Sequence, residues 1–429
     1  MKRNFYLIVL LALVMALVVS GCAPAAEEAA EEAAAEVSGE QTALIGFTAS
    51  QTGKYNVEST SQINGLNLCM QEVNDSGGVT LDDGSQATFA SVFYDDESNT
   101  ERVQELYTRL ATEDDANFLI SPYSSGLTDA ASVIAEQYGK VMITTGAASD
   151  STYQKGFTRV FQTYTPASRY LTGALDMLAA NDPDAEDIAI VYENSKFSTD
   201  VATALQEYAE EHGFNVVLFE GYDPETTDFA PFINKIQDSD PDAILGGGHF
   251  QDGTTFVRQL DEKNANIPFV ALLVAPPDPS FAELGEPAVG IVGPSQWEPQ
   301  ADFDAEAAEA AGLPFFGPSS SEFAEMYVEA YGDEPSYHAA GGYVACLLLQ
   351  KAIEAAGSTD ADAVKEALDN MDLMTFFGHM KFDTSAESHG LQIGHSMVYV
   401  QWQENGETMV KEVVWPQEGA TAPTLYPAP

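Results

Sequence analysis

Basic residues are what this sequence most lacks. Lysine and arginine number 17 against 67 aspartates and glutamates, a formal charge of −50. So one-sided a charge is repelled by phosphate backbones and anionic lipid, which argues against nucleic acid and such membrane surfaces as partners. Cysteine is nearly absent as well: of three residues, only Cys69 and Cys346 lie beyond the N-terminal region. A disulfide-dense scaffold and a cysteine-rich zinc cluster are thereby excluded. The six histidines form no HxH or HxxxH pair, and His389 and His395 stand apart, so no metal is expected. Catalytic signatures are missing too. Tyr123-Ser124-Ser125-Gly126 lacks the glycine that would make a nucleophile elbow. Gly246-Gly247-Gly248 leads into neither a Lys-Ser/Thr pair nor a G-x-G-x-x-G pattern. An enzyme is not expected, and neither is a cofactor.

The N-terminus has a basic head, Lys2-Arg3, then an apolar run from Phe5 to Val19. That run is short for a membrane span and suits the core of a signal peptide, and no second run of eighteen apolar residues follows it. Val19-Ser20-Gly21-Cys22 resembles the lipobox of bacterial lipoproteins. The expectation is a signal peptide over 1–21, lipid on Cys22, and an Ala/Glu-rich tether over 22–40 too poor in bulky apolar residues to build a core. An ordinary secretory signal with an incidental cysteine is the alternative. The two remaining cysteines sit in apolar helix-like segments; two buried thiols are expected, with a disulfide joining them as the alternative.

The chain then alternates strand and helix. Thr42–Thr48 is predicted as a strand, followed by a polar loop with Gly53 and Tyr55, a helix to Asn74, a strand over Ala87–Tyr94 and a helix from Asn99 to Thr112. Asn117–Ile120, a polar Ser-Pro-Tyr-Ser-Ser-Gly loop, a helix through Tyr138 and a strand at Val141–Ile143 make one parallel βαβ unit. Both polar loops follow strands and so lie at the carboxyl edge of a parallel sheet, where such sheets bind ligands. The free N–H groups of the helix N-terminus, with the Ser124 and Ser125 hydroxyls beside them, suit a carboxylate. Simple capping of the helix by either serine is the plainer alternative.

After Phe161–Pro166 a second set of alternating units begins. Strands are predicted at Ile188–Tyr192, Phe214–Phe219, Asp242–Leu245, Pro268–Val274 and Gly290–Pro294, with a helix from about Asp200 to His212 among the intervening ones. Glu298–Pro318 reads as an irregular insertion. Helices follow over Ser321–Tyr331, Tyr337–Ala356 and Ala361–Met371, then a hairpin-like stretch and closing strands at Met397–Gln403 and Met409–Val414, with a frayed end at Thr424–Pro429.

These motifs in this order (IGF…TG before a long helix, EVNDSGG, FYDDES, the Tyr-Ser-Ser-Gly loop) resemble the bacterial type 1 periplasmic solute-binding proteins of ABC importers, typified by leucine/isoleucine/valine-binding proteins. The resemblance covers about residues 42 to 415. It implies an α/β fold of two doubly wound Rossmann-like lobes joined by a three-stranded hinge: lobe 1 from 41–163 and 298–393, lobe 2 from 164–297 and 394–416, and a tail over 417–429. It further implies a monomer that captures a small amino acid or organic acid and delivers it to an ABC permease in the membrane. The family's carboxylate-binding serine falls on Ser125, with Ser124 beside it. Its second loop falls on Gly146, Ala147 and Ala148, where Ala148 replaces a threonine and Ser149 is the nearest hydroxyl. The aromatic positions of the second lobe fall on Phe197 and His249, and Tyr55 and Tyr337 lie in segments that line the first-lobe wall in relatives.

One departure bears on the ligand. Amino-acid binders carry an acid at the strand end where this chain has Leu273. A buried ammonium without a partner is costly. Either Asp252 or Asp278 supplies the charge, or the ligand is an organic or aromatic acid without an amine. A ligand-sensing component of a receptor system is a further alternative.

Overall fold

The structure is a computed structural model that describes residues 39–301, 303–406 and 408–429. The expected signal peptide, Cys22 with its lipid and most of the tether lie outside the described residues. Among the described residues, no helix is long and apolar enough to cross a membrane.

The first half builds β1 (Glu40–Ala49), α1 (Asn56–Asp75), β2 (Val79–Thr80), β3 (Gln86–Asp95), α2 (Thr100–Thr112), β4 (Phe118–Ile120), α3 (Ser125–Gln137), β5 (Val141–Thr144), the short α4 (Asp150–Tyr153) and β6 (Val160–Gln162). Their strands form one sheet in the order β2-β3-β1-β4-β5-β6, parallel except for the small β2 strand. Buried Ile45, Phe47, Phe118, Ile120 and Ile143 belong to its core. Chain order reverses between β1 and β4, so the loops after those two strands, carrying Tyr55 and Ser124, open at the crevice where doubly wound sheets take ligands.

The second unit repeats the plan with α5 (Thr172–Asn181), β7 (Asp187–Glu193), α6 (Lys196–Glu211), β8 (Asn215–Tyr222), α7 (Ala230–Ser239), β9 (Ala243–Gly247), α8 (Phe250–Glu262), β10 (Phe269–Leu272) and β11 (Val292–Ser295). The return supplies α9 (Ala305–Ala311), α10 (Ser320–Tyr331), α11 (Tyr337–Ala356), α12 (Ala361–Asp369), the hairpin β12 (Asp372–Thr375) and β13 (Gly378–Lys381), and finally β14 (Val398–Asn405) and β15 (Thr408–Trp415). The second sheet runs β15-β14-β11-β10-β9-β7-β8, with β14 and β15 antiparallel at its edge. Here the reversal falls between β7 and β9, which places the loops before Phe197 and at His249 opposite those of the first sheet.

The chain passes between the sheets three times: after β6, after β11 and before β14. One glutamine ties the passages together. Gln296 accepts from the Thr165 backbone N–H at 2.9 Å and donates to the Tyr170 hydroxyl at 2.7 Å, and its amide lies 3.7 Å from the Met397 sulfur. A buried amide paired with several segments at once fixes their spacing.

Helices α1 and α11 pack against each other with almost no side chain between them. A Cβ on Gly65 would lie 1.8 Å from the Ala339 carbonyl oxygen, and one on Gly342 would lie 1.8 Å from that of Gln62. Glycine is required at both by close approach. The same helices are joined covalently by Cys69–Cys346. The expectation of two free thiols is therefore corrected: each cysteine does sit on a buried apolar face, but the faces are those two helices bring together.

Three local expectations also change. Helix α6 begins at Lys196, not near Asp200, because the Ser195 hydroxyl caps it by accepting from the Ser198 N–H; Phe197 thus stands in a helical first turn rather than in a loop. The stretch expected to be irregular contains α9, capped by Asp304 and ended by Gly312 in the left-handed region. The C-terminal end is packed, not frayed: the Ala428 N–H donates to the Pro268 carbonyl, Leu425 N–H to the Gln401 side chain, and the Tyr426 hydroxyl to Asp182.

Candidate ligand-binding site

A small cavity lies between the two sheets. Its first-sheet wall is Tyr123, Ser124, Gly146, Ala148 and the pair Tyr337 and His338. Its second-sheet wall is Phe197, His249 and Val274, and Tyr164 and Tyr170 close it on the hinge side. The wall holds four tyrosines, a phenylalanine and two histidines, and no carboxylate.

Helix geometry explains the polarity. Ser124 is the N-cap of α3, His249 the N-cap of α8, and Tyr337 and His338 open α11; Phe197 is the second residue of α6. No side chain caps α3 or α11. Four helix N-termini therefore bring the positive ends of their dipoles to one space, and those of α3 and α11 keep N–H groups that no side chain caps. Such a convergence favours an anion.

His249 adds a titratable ring. Its Nδ1 lies 2.5 Å from Glu193 Oε2, leaving Nε2 free of any partner among the described residues. Burial alone would push the imidazole pKa down. The charge and hydrogen bond of Glu193, helped by Glu58 and Asp252, outweigh it and hold the pKa above the ordinary value. Glu193 is correspondingly held low, at about 2, because His249 and Lys54 offset its own desolvation. Protonation of the ring is thus favoured, and in that form Nε2–H is a buried cationic donor.

The expected site residues divide into those that meet the cavity and those that shape it. Ser124, Gly146, Ala148, Phe197, His249 and Tyr337 line it. Ser125 does not: its hydroxyl accepts from the N–H groups of Ala148 at 3.0 Å and Ser149 at 3.2 Å, tying the two loops together. Ala147 and Ser149 are buried but do not line the cavity, and the Ser149 hydroxyl has no partner among the described residues. Tyr55 packs on the rim, its ring 4.8 Å from that of His249 and 5.6 Å from that of Tyr123.

Neither Asp252 nor Asp278 lines the cavity. Asp252 is consumed by its own helix start, accepting from the His249 backbone N–H at 2.7 Å and from the Tyr222 hydroxyl. Asp278 caps a short turn by accepting from the Ser280 N–H at 2.9 Å. Leu273 is buried behind the surface, and the wall residue at this strand end is Val274. Val274 has φ of 57°, a left-handed conformation that a β-branched residue resists, so the surrounding packing holds it there.

Three polar residues at the site escaped the sequence reading. Glu58 is fully buried on α1; its Oε1 accepts from the Phe250 N–H at 3.0 Å and its Oε2 has no partner among the described residues. Burial raises its pKa to about 7 against the opposing pull of His249 and the Phe250 N–H. Gln62, one turn further along, donates to the Ser121 carbonyl and keeps an unpartnered Oε1. Among the described residues, His338 has neither ring nitrogen partnered. Buried polar groups are nearly always paired in native proteins, so unpaired atoms such as these are candidates for a ligand contact.

Contacts across the cleft hold the walls together. Lys54 Nζ meets Glu193 Oε1 at 2.9 Å, Phe250 N–H meets Glu58, and Lys196 Nζ donates to the Ser151 hydroxyl at 2.6 Å, which in turn donates to Asp200.

Two lobes at their switch points, three passages between them and a buried polar cleft define a bilobal solute-binding protein. The family model described as periplasmic binding protein matches residues 42–407, and the chain belongs to that family. Among curated relatives, Leu/Ile/Val-binding protein homolog 7 of Brucella suis biovar 1 is 27% identical over 352 residues, covering 79% of this chain and 84% of the relative. Among solved structures, the branched-chain amino acid transporter substrate binding protein LivJ of Streptococcus pneumoniae, in complex with isoleucine, superposes with TM-score 0.71 at 22% identity, covering 87% of this chain and 99% of LivJ. A solute binding protein of an ABC transporter from R. palustris, in complex with benzoate, does so with TM-score 0.71 at 19% identity, covering 90% and 98%. The type 1 fold expected from sequence is thus shown.

Proposed function

We propose that this chain is the extracytoplasmic substrate-binding lipoprotein of an ABC transporter, anchored through Cys22, and that it captures a small aromatic or other organic acid lacking an amine for delivery to a membrane permease. Lobes bounded at 41–163 with 298–393 and at 164–297 with 394–416 would close about the Gln296 hinge. The observation that carries the ligand class is the wall itself. Four helix N-termini and the His249 imidazolium meet an aromatic cavity without a carboxylate. An acid finds charge-assisted donors there, and its ring finds Phe197 and tyrosine faces. An ammonium would lie desolvated against Val274. That the same fold holds benzoate in one neighbour is consistent with this reading.

A second reading, a branched-chain amino acid, is favoured by the free Oε2 of Glu58, the one buried carboxylate oxygen beside His249 without a partner among the described residues. Calorimetric titration of the domain from residue 41 separates the two. Benzoate is expected to bind and leucine not to; leucine binding that is lost in Glu58→Gln would establish the second reading instead.

A further inference from the structure

Val274 is held in a conformation that its own side chain opposes. The Ala275 N–H donates to the Leu273 carbonyl at 2.6 Å, closing a three-residue turn with Val274 at its centre and φ of 57° there. Three-residue turns with positive φ are the rare and strained kind. An L-residue in this region crowds its Cβ against a carbonyl oxygen, and the second branch of a valine adds to the crowding. Among the described residues, the other non-glycine positions with positive φ are Glu97, Ser98, Asp115, Asp240 and Asn264. All are polar and none is buried. Val274 is the apolar exception, is 2% exposed, and lines the cavity.

The segments on either side pin the turn. The Leu273 N–H donates to the Gly246 carbonyl on β9 at 2.8 Å. Ala275 packs on α8 so closely that a Cβ on Gly253 would lie 2.7 Å from its own. Further along, the Pro276 carbonyl accepts from the Trp402 indole N–H at 2.8 Å, and the Pro277 carbonyl from Lys411 Nζ at 2.7 Å. Strain that the surroundings impose on a residue facing a ligand cavity points to a use for its side chain. Glycine would fit the turn without strain but would leave the wall open. Valine supplies a branched apolar stop that is stiff about χ1. We propose that Val274 is a specificity-determining residue whose isopropyl group, presented by the strained turn, limits the bulk of the ligand that the closed cleft admits. This rests on the acid-binding reading above and adds a size limit to it.

The test uses the wild type, Val274→Ala and Val274→Gly. Both variants lose the isopropyl group, and only glycine also loses the strain. Without ligand, Val274→Gly should therefore melt above Val274→Ala, by about 1 °C, the reverse of their order at an ordinary position. Calorimetry then compares benzoate with ortho-, meta- and para-methylbenzoate. In the wild type at least one methyl isomer should bind roughly tenfold or more weakly than benzoate, because the added methyl has no room against Val274. Val274→Ala should bring that ratio close to one. If Val274→Ala melts at or above Val274→Gly, the turn is not strained. If all the acids bind the wild type equally, or the methyl penalty survives in Val274→Ala, the side chain merely fills the core. Either result overturns the assignment while leaving an acid-binding site intact. Failure of every acid to bind, with leucine binding in their place, overturns this size limit together with the reading it rests on.

Discussion

Lys54 and Glu193 lie 139 positions apart in sequence and 2.9 Å apart in space, one on each side of the cleft. Glu193 also holds His249, so one carboxylate both fixes the ligand-facing cation and bonds the opposite lobe. The closed arrangement and the charged state of the site are therefore coupled through a single side chain.

Lys54→Ala should weaken binding by about 1 kcal/mol, some fivefold, mostly through faster release. The estimate is modest because Lys54 is part-exposed and Glu193 keeps His249. Stopped-flow release of bound ligand measures it; an unchanged off-rate would show that the ion pair plays no part in closure.

Binding of an acid should weaken as pH rises through the elevated His249 pKa. His249 has a folded pKa above its unfolded value, so its contribution to stability is complete below about 6.5 and is lost above the folded pKa. Glu193 runs the other way, its contribution present above about 4.5 and lost as pH falls through 2. Glu193→Gln should move the loss of affinity to lower pH, as titrations between pH 5 and 9 would reveal.

Glu58 carries a penalty. Its folded pKa of about 7 exceeds the unfolded value, so the folded state holds the extra proton and stability falls between pH 4.5 and 7. Above pH 7 the cost is about 3 kcal/mol. Glu58→Gln preserves an acceptor for the Phe250 N–H. It should raise the melting temperature at pH 8 and leave it nearly unchanged at pH 5, as a pair of thermal melts would show.

Replacing Cys69 and Cys346 together with alanine should cost about 2–4 kcal/mol, the usual effect of releasing a long loop. The separation here is 277 residues. Denaturant unfolding of the oxidised wild type and the double variant measures the difference, and identical midpoints would show that helix packing alone holds α1 to α11.

The alternation of strand and helix was legible because it needs only local periodicity. Helix α11 was placed at both ends, with Gly357 stopping it. The expected wall residues Ser124, Gly146, Ala148, Phe197, His249 and Tyr337 did come together at the cavity. What stayed hidden depends on partners distant in sequence. Glu58 and His338 sit at helix starts where an acid or a histidine is ordinarily solvated, and only the docking of α1 against α11 and of one sheet against the other buries them. The pairing of Cys69 with Cys346 has the same cause. Asp252 and Asp278 are a different case, since the backbone N–H groups that take them, those of His249 and Ser280, are close neighbours in sequence.

The glycine crossing of α1 and α11 has a consequence for how such a protein changes over time. Both helices carry first-lobe site residues, and their backbones touch where Gly65 and Gly342 lie. A new side chain in that seam would displace the wall as a whole. Phe197, His249 and Val274 stand instead on separate segments of the other lobe. New ligand preferences are therefore accessible mainly through single exchanges on that side, with the first lobe serving as an inherited mould.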